Sequence, residues 1–292
     1  MTGMADYHEK NVLQYTAGQG AMPALPSLFL ALFTAAPTSD AGTGGTEVSG
    51  GSYARVQVAG TLTANGTIST GSSSITMNVS NPGWVVAGMN VYDTTNNKQI
   101  GTVLTYSGTA LTLTANASNN GSGSTDVLSF SAFAPPTASS GNEPGTTPGT
   151  IVNTNATITF VQASASWGTV LAWAIYDAVT SGNMIFWDYL GNFSWRPFTG
   201  TSASPSVLTA PAHGYANSDV VVVTSKYQGT LPATGGSWSG TLTVANVSTD
   251  TFTAGVNTTG TGSGQVRKIT QQSIPQNVTA SFSTSQLTIS LA

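Results

Sequence analysis

Two histidines, eleven carboxylates and no cysteine are the side chains from which this 292-residue chain could build an acid, a base or a metal site. His8 and His213 are far apart in the sequence, and His8 has no second ligand nearby. His8 reads as a packed residue on a helix. His213, in Ala212-His-Gly-Tyr215, reads as part of a turn lead-in. The acids are scattered, and the nearest approach to a catalytic pair is Asp177 with Asp188, flanking a stretch that reads as a hairpin. With Trp173, Trp187 and Trp195 close by, such a pair could serve a glycosidase if both carboxylates faced one aromatic cleft. The plainer reading is that an aspartate at a strand end shapes and solvates a turn. No lysine follows a glycine, which excludes a GK phosphate loop, and no Asp/Asn-rich loop closes with a glutamate as a calcium loop would. The expectation is a protein that is not an enzyme, with no catalytic, cofactor-binding or metal-binding residues and no cofactor.

Composition narrows the partners. The net charge of −4 and a pI near 4.8 argue against nucleic acid and against an anionic membrane surface. Without cysteine, disulfides and thiolate metal sites are excluded. The apolar run Leu28 to Phe33 is too short to span a bilayer, and the first residues, with Asp6, His8, Glu9 and Lys10, do not read as a signal peptide. Synthesis in the cytoplasm is therefore expected. Only 6% of the residues are charged, yet 39% are apolar, so the chain can form a core where a disordered one could not. Abundant Thr, Ser, Asn and Gly point to short strands joined by tight turns.

The elements that would carry these residues follow from periodicity. Met4, His8, Val12 and Tyr15 recur at helical spacing, so a short helix is predicted over 5–16, stopped by Gly18 and Gly20. Ser27 to Thr34 (SLFLALFT) is apolar on both faces and reads as a buried strand. Tyr53 to Val58 and Ala156 to Phe160 alternate as half-buried strands do. Thr169 to Asp177 reads as one long apolar strand that turns at Ser181-Gly-Asn183 into Met184 to Leu190. The last strands are predicted at Gln276 to Phe282 and Gln286 to Leu291.

Two stretches look inserted. One runs over 67–130, with a turn signal at Asn81-Pro-Gly83, and the other over 201–268. The segment Ala134 to Thr150 is Pro, Gly, Ser and Thr without periodicity and reads as an extended arm. The fold class expected is all-β: a β-sandwich or jelly-roll-like parent domain (1–66, 131–200 and 269–292), two small inserted β-modules (67–130 and 201–268) and a short N-terminal helix. The parent core is expected to include Phe29, Leu30, Phe33, Val56, Val170, Trp173, Ile175, Phe186 and Trp187.

Three stretches carry a family resemblance: Leu30 to Pro37 (LALFTAAP), Gly45 to Arg55 (GTEVSGGSYAR), and Trp167-Gly-Thr-Val170 followed by Ile175-Tyr-Asp177. Together they resemble small virion structural proteins of tailed bacteriophages, of the tail-fibre-like or capsid-decoration type, over roughly residues 5–66, 151–200 and 269–292. The two inserted stretches are similar to small β-modules that recur in phage structural proteins. The resemblance implies a virion location. The expected role is a capsid decoration, or cement, protein on the outer shell, partnered by the major capsid protein and forming a homotrimer. The alternative is a tail-associated fibre or adhesin binding host glycan, with Trp84 or Trp238 stacking on sugar rings.

Overall fold

The structure, a computed structural model, describes residues 3–21, 27–37, 44–65, 68, 71–118, 125–134, 150–191, 193–225, 229–234, 238 and 240–290. The arm expected over Ala134–Thr150 falls almost wholly outside the described residues. So do residues 38–43 of the turn-rich loop and residues 119–124 of the small-residue tail.

Strand makes up 42% of the described residues and helix 5%, well above and far below the usual shares of a globular protein, so the protein is all-β. The first part contains β1 (Gly3–Met4), α1 (Asp6–Thr16), β2 (Ser27–Ala35), β3 (Thr46–Glu47), β4 (Val56–Thr63), β5 (Ser74–Thr76), β6 (Asn90–Asp93), β7 (Lys98–Ser107), β8 (Ala110–Leu113) and β9 (Val127–Ser131). Three short strands follow, β10 (Thr150–Val152), β11 (Ile158–Thr159) and β12 (Gly168–Val170). The hairpin β13 (Ala172–Tyr176) and β14 (Met184–Tyr189) comes next. A second group consists of β15 (Arg196–Gly200), β16 (Val207–Thr209), β17 (Val220–Thr224), β18 (Leu242–Thr243), β19 (Thr251–Thr253) and β20 (Gly262–Ile269). The chain closes with β21 (Gln272–Ile274), β22 (Ser281–Phe282) and β23 (Thr288–Ser290).

Eleven strands form one sheet in the order β1-β14-β13-β2-β4-β9-β6-β7-β8-β5, with β3 paired to β2. The register sets Trp173 opposite Leu32 and Ile175 opposite Leu30, so the inward residues of neighbouring strands stack. β2 is apolar on both faces because both are covered. Leu30 and Leu32 join a large core with Val58, Trp173 and Ile175, while Ala31 and Phe33 pack on the opposite side with Ala172, Ala174 and Met184. Three antiparallel ladders, β10–β23, β11–β22 and β12–β21, bring Ile158, Phe160, Ile274, Leu287 and Ile289 onto the first of these faces.

The strands of 67–130 continue the same sheet. β4 pairs with β9 from Ala59–Ser131 to Thr63–Val127, and β6, β7, β8 and β5 extend outward from there. Their apolar residues, among them Met89, Val91, Ile100, Leu111, Leu113 and Phe130, belong to the large core. At Gly88 (φ +88°) the turn before β6 presses on the carbonyl of Asn155, and a Cβ there would collide with it.

The second group behaves differently. β18-β17-β20-β15-β16-β19 is a separate six-stranded sheet with its own core of Phe198, Leu208, Tyr215, Val221, Trp238, Phe252 and Val266. The excursion leaves at Leu190 and returns at Thr270, and the two residues are hydrogen-bonded to each other, N–H of Thr270 to C=O of Leu190 at 2.8 Å. β15, which the sequence placed before the insertion, is an inner strand of this sheet.

The predicted single strand 169–177 is divided at Leu171. β12 pairs with β21, then the chain steps across so that β13 pairs with β2 and β14. Of the predicted core, Leu30, Phe33, Val170, Trp173 and Ile175 are buried. Phe29, Val56, Phe186 and Trp187 are half-buried. Helix α1 leans on β14 through His8, whose ring meets Phe186 edge-on at 5.4 Å. The predicted packed face ends there and at Val12, because Tyr15 is 59% exposed.

Candidate functional site

The stretches that carry the family resemblance meet at one point. Glu47 ends β3, the strand paired to β2, Arg55 directly precedes β4, and Tyr176 ends β13, so three neighbouring segments of the large sheet bring these side chains together. The guanidinium grips the carboxylate with both edges, Nε to Oε1 at 2.9 Å and a terminal nitrogen to Oε2 at 2.7 Å. Its other terminal nitrogen donates to the carbonyls of Ala178 and Ser181, at 2.9 and 2.7 Å, and so holds the β13–β14 turn. The guanidinium carbon also lies 3.5 Å from the centroid of the Tyr176 ring.

Tyr53 completes the clasp. Its hydroxyl donates to Glu47 Oε1 at 3.1 Å and accepts the N–H of Leu32 at 2.9 Å. Burial pushes that phenol well above its ordinary value, so it stays protonated and remains a donor. Trp167 packs edge-on against Tyr53 at 5.3 Å, and its Nε1 donates to the carbonyl of Gly51 at 2.9 Å. LALFTAAP, GTEVSGGSYAR, WGTV and IYD thus contribute Leu32, Glu47 with Tyr53 and Arg55, Trp167, and Tyr176 to one network. Its donors and acceptors are turned on each other, an arrangement suited to holding strands in place.

Asp177 and Asp188 do not converge. Asp177 closes the hairpin turn, accepting the backbone N–H of Asn183 at 2.6 Å and its Nδ2 at 2.8 Å. Asp188 sits opposite Trp173, four residues back along the paired strand, which is about 13 Å at strand rise. That exceeds the ~5–9.5 Å between the carboxylates of glycosidases. Asp188 is instead bound to Arg267 at 2.7 Å.

Arg267 is the largest fully buried side chain among the described residues, 1% exposed. It stands on β20 opposite Val222 and reaches Asp188 and the carbonyls of Tyr189 and Gly191, with the rings of Tyr189 and Trp195 at 5.9 and 5.7 Å. Next to it Lys268 pairs with Asp219 at 2.7 Å, and that contact with an N–H bond from Ala216 holds the Asp219 carboxyl below its usual range despite the opposing effect of burial. The sequence reading overlooked Arg267. The available signal was scarcity: in a chain with seven basic residues, an arginine inside a strand needs a partner.

Asp93 and Asp126, both fully buried, were overlooked as well. Asn96 Nδ2 bridges their carboxylates, and backbone N–H groups of Thr95, Asn96 and Ile68 also donate to them. His213 is buried against Tyr215 and Phe252. Its Nδ1 accepts the N–H of Tyr215 at 2.9 Å, which puts the ring proton on Nε2, facing the Thr251 carbonyl. Trp238 is buried in the six-stranded unit with Nε1 on the Pro232 carbonyl, and Trp84 is half-buried, edge-on to Phe130. Among the described residues no three His, Cys, Asp or Glu side chains are grouped to hold a metal ion, and no helix is long and apolar enough to cross a membrane.

The familiar motifs thus build an internal clasp within an all-β scaffold. The chain belongs to the family described as Podophage GP4 fiber I protein gp80, whose model matches residues 3–134 and 110–193. It is accordingly a tailed-phage virion structural protein of tail-fibre-like type. The match runs through 67–130 and stops before the six-stranded sheet. No curated protein matches the chain.

Proposed function

We propose that the protein is a non-enzymatic component of the phage's tail fibre apparatus, assembled as a homotrimer. The observation that carries this reading is the family membership over residues 3–193, under a description that names a fibre protein. The placement of charge supports a structural role. Arg55, Arg267, Lys268, Glu47, Asp188 and Asp219 are spent on internal pairs, and Asp93 and Asp126 are buried. What faces solvent is largely hydroxyl, amide and small apolar groups, so identical copies can crowd together with little mutual repulsion.

Helix α1 supports self-association. It is an eleven-residue helix with no side-chain N-cap, no basic residue in its last turn and no fully buried side chain. A helix of that length is marginal on its own, and Leu13, Tyr15 and Tyr7 stand 67%, 59% and 37% exposed. Packing α1 against its counterparts about a symmetry axis covers them. Gold-labelled antibody against the protein, viewed on intact virions by electron microscopy, tests the location. Label at the tail supports the proposal. Label spread over the shell supports capsid decoration instead, with the major capsid protein as partner.

A further inference from the structure

The six-stranded unit lies outside the family match and meets the rest of the protein along one seam. Val220, Val222 and Ile269 from its side pack with Leu171, Ala172, Trp187, Tyr189 and Trp195. Three aliphatic side chains give adhesion but little direction, since apolar contact is roughly proportional to area and tolerates sliding. The chain connections leave freedom too, because entry and exit sit side by side at Leu190 and Thr270, like the two ends of a single hinge.

Arg267 supplies the missing direction. It is anchored within β20, two residues before the strand ends, held in register by Val222 on one side, and Asp188 is anchored on β14 opposite Trp173. Both partners therefore project from paired strands, and a planar guanidinium meets a carboxylate and two carbonyls in one geometry only. Such a pair is a poor source of stability. Desolvation raises the Asp188 carboxyl above its ordinary value even beside the arginine, and Arg267 Nε and Trp187 Nε1 are buried with no partner among the described residues. A contact that contributes little stability yet fixes geometry is suited to selecting one arrangement among several of similar energy.

We propose that the Arg267–Asp188 pair is a latch that sets the angle of the six-stranded unit on the large sheet, so that the unit projects as a rigid, aimed arm and not as a tethered bead. The apolar seam holds the unit on; the ion pair decides how it points. The inference rests on the seam alone and holds whether the protein sits on tail or shell.

The test uses the full chain, whose lack of cysteine allows two introduced ones to be labelled specifically. Spin labels at Leu104→Cys on β7 and Val207→Cys on β16, both exposed sites, report the distance between the units by pulsed electron paramagnetic resonance. With the native pair the distribution is a single narrow peak. Asp188→Asn loses that peak while circular dichroism shows both units folded. The double variant Asp188→Asn/Arg267→Met, which leaves no stranded charge and so keeps a folded chain if the single change does not, loses it as well. A narrow peak in either folded variant, or a broad distribution in the native protein, overturns the latch.

Discussion

Replacing Glu47 by Gln removes one charge from the clasp and almost no volume. Arg55, with its side chain 7% exposed, then keeps the carbonyls of Ala178 and Ser181 and the ring of Tyr176 but loses its counter-ion. Stranding one partner of a buried pair costs about 3–5 kcal/mol. The Glu47 side chain is 26% exposed, so water offsets part of the loss and the lower end applies, about 3 kcal/mol. For a chain of this size that amounts to a fall in Tm of roughly 6 °C. Differential scanning calorimetry measures it directly. The double variant Glu47→Gln/Arg55→Met, which removes both charges, is expected to lose less than Glu47→Gln alone, because no unpaired guanidinium is left inside. Arg55→Lys is expected to lose most of what Glu47→Gln loses, since an ammonium cannot serve a carboxylate and two carbonyls in the same fork. A Glu47→Gln protein within about 0.5 kcal/mol of the native one, the range of a neutral surface change, would refute the clasp as an architectural element.

Trp173→Ala empties the centre of the large core, where the side chain is 4% exposed, and should cost about 3–5 kcal/mol in chemical denaturation; an unchanged midpoint would show the core to be centred elsewhere. Replacing residues 191–269 by a short Gly/Ser link should leave a folded remainder, because Leu190 and Thr270 are already hydrogen-bonded neighbours and loop length costs only about 0.6 kcal/mol per doubling. Aggregation of that shortened chain would make the six-stranded unit an integral part of the core. Burial holds His8 below its ordinary 6.5, so the docked helix favours the neutral ring, and docking that is complete above that value weakens as pH falls through it. Hydrogen exchange over Asp6–Thr16 should therefore speed up between about pH 7.5 and pH 5 beyond the intrinsic trend, and His8→Phe should abolish the difference.

Part of the large sheet was legible because its strands are short apolar or alternating runs bounded by turn residues. SLFLALFT is apolar at every position but its ends, and so short a run flanked by Pro26 and Pro37 suits a strand covered on both faces. The β13–β14 hairpin was legible from its turn, where Asp177 and Asn183 now make the bonds that close it. The step at Leu171 was not, because a strand that changes partners keeps the same apolar run, and nothing local marks the point where pairing passes from β21 to β2. Nor did the sequence place β15, since Arg196-Pro-Phe-Thr-Gly200 has no clean alternation and owes its state to β20 beside it. The helix periodicity was read correctly in kind but overstated in reach. β14 meets it at Phe186 beside His8, while Tyr15 at the far end of the helix stands 59% exposed. The motifs marked a family without marking a job. Their residues converge on Arg55, and that convergence depends on three segments meeting in space.

The central claim, a structural protein of the tail fibre apparatus, is tested most directly by the number of copies in a purified virion, counted by quantitative mass spectrometry with isotope-labelled standard peptides against the major capsid protein. The account predicts a small multiple of three per particle. A count proportional to the capsomers of the shell would contradict it and return the protein to the capsid surface.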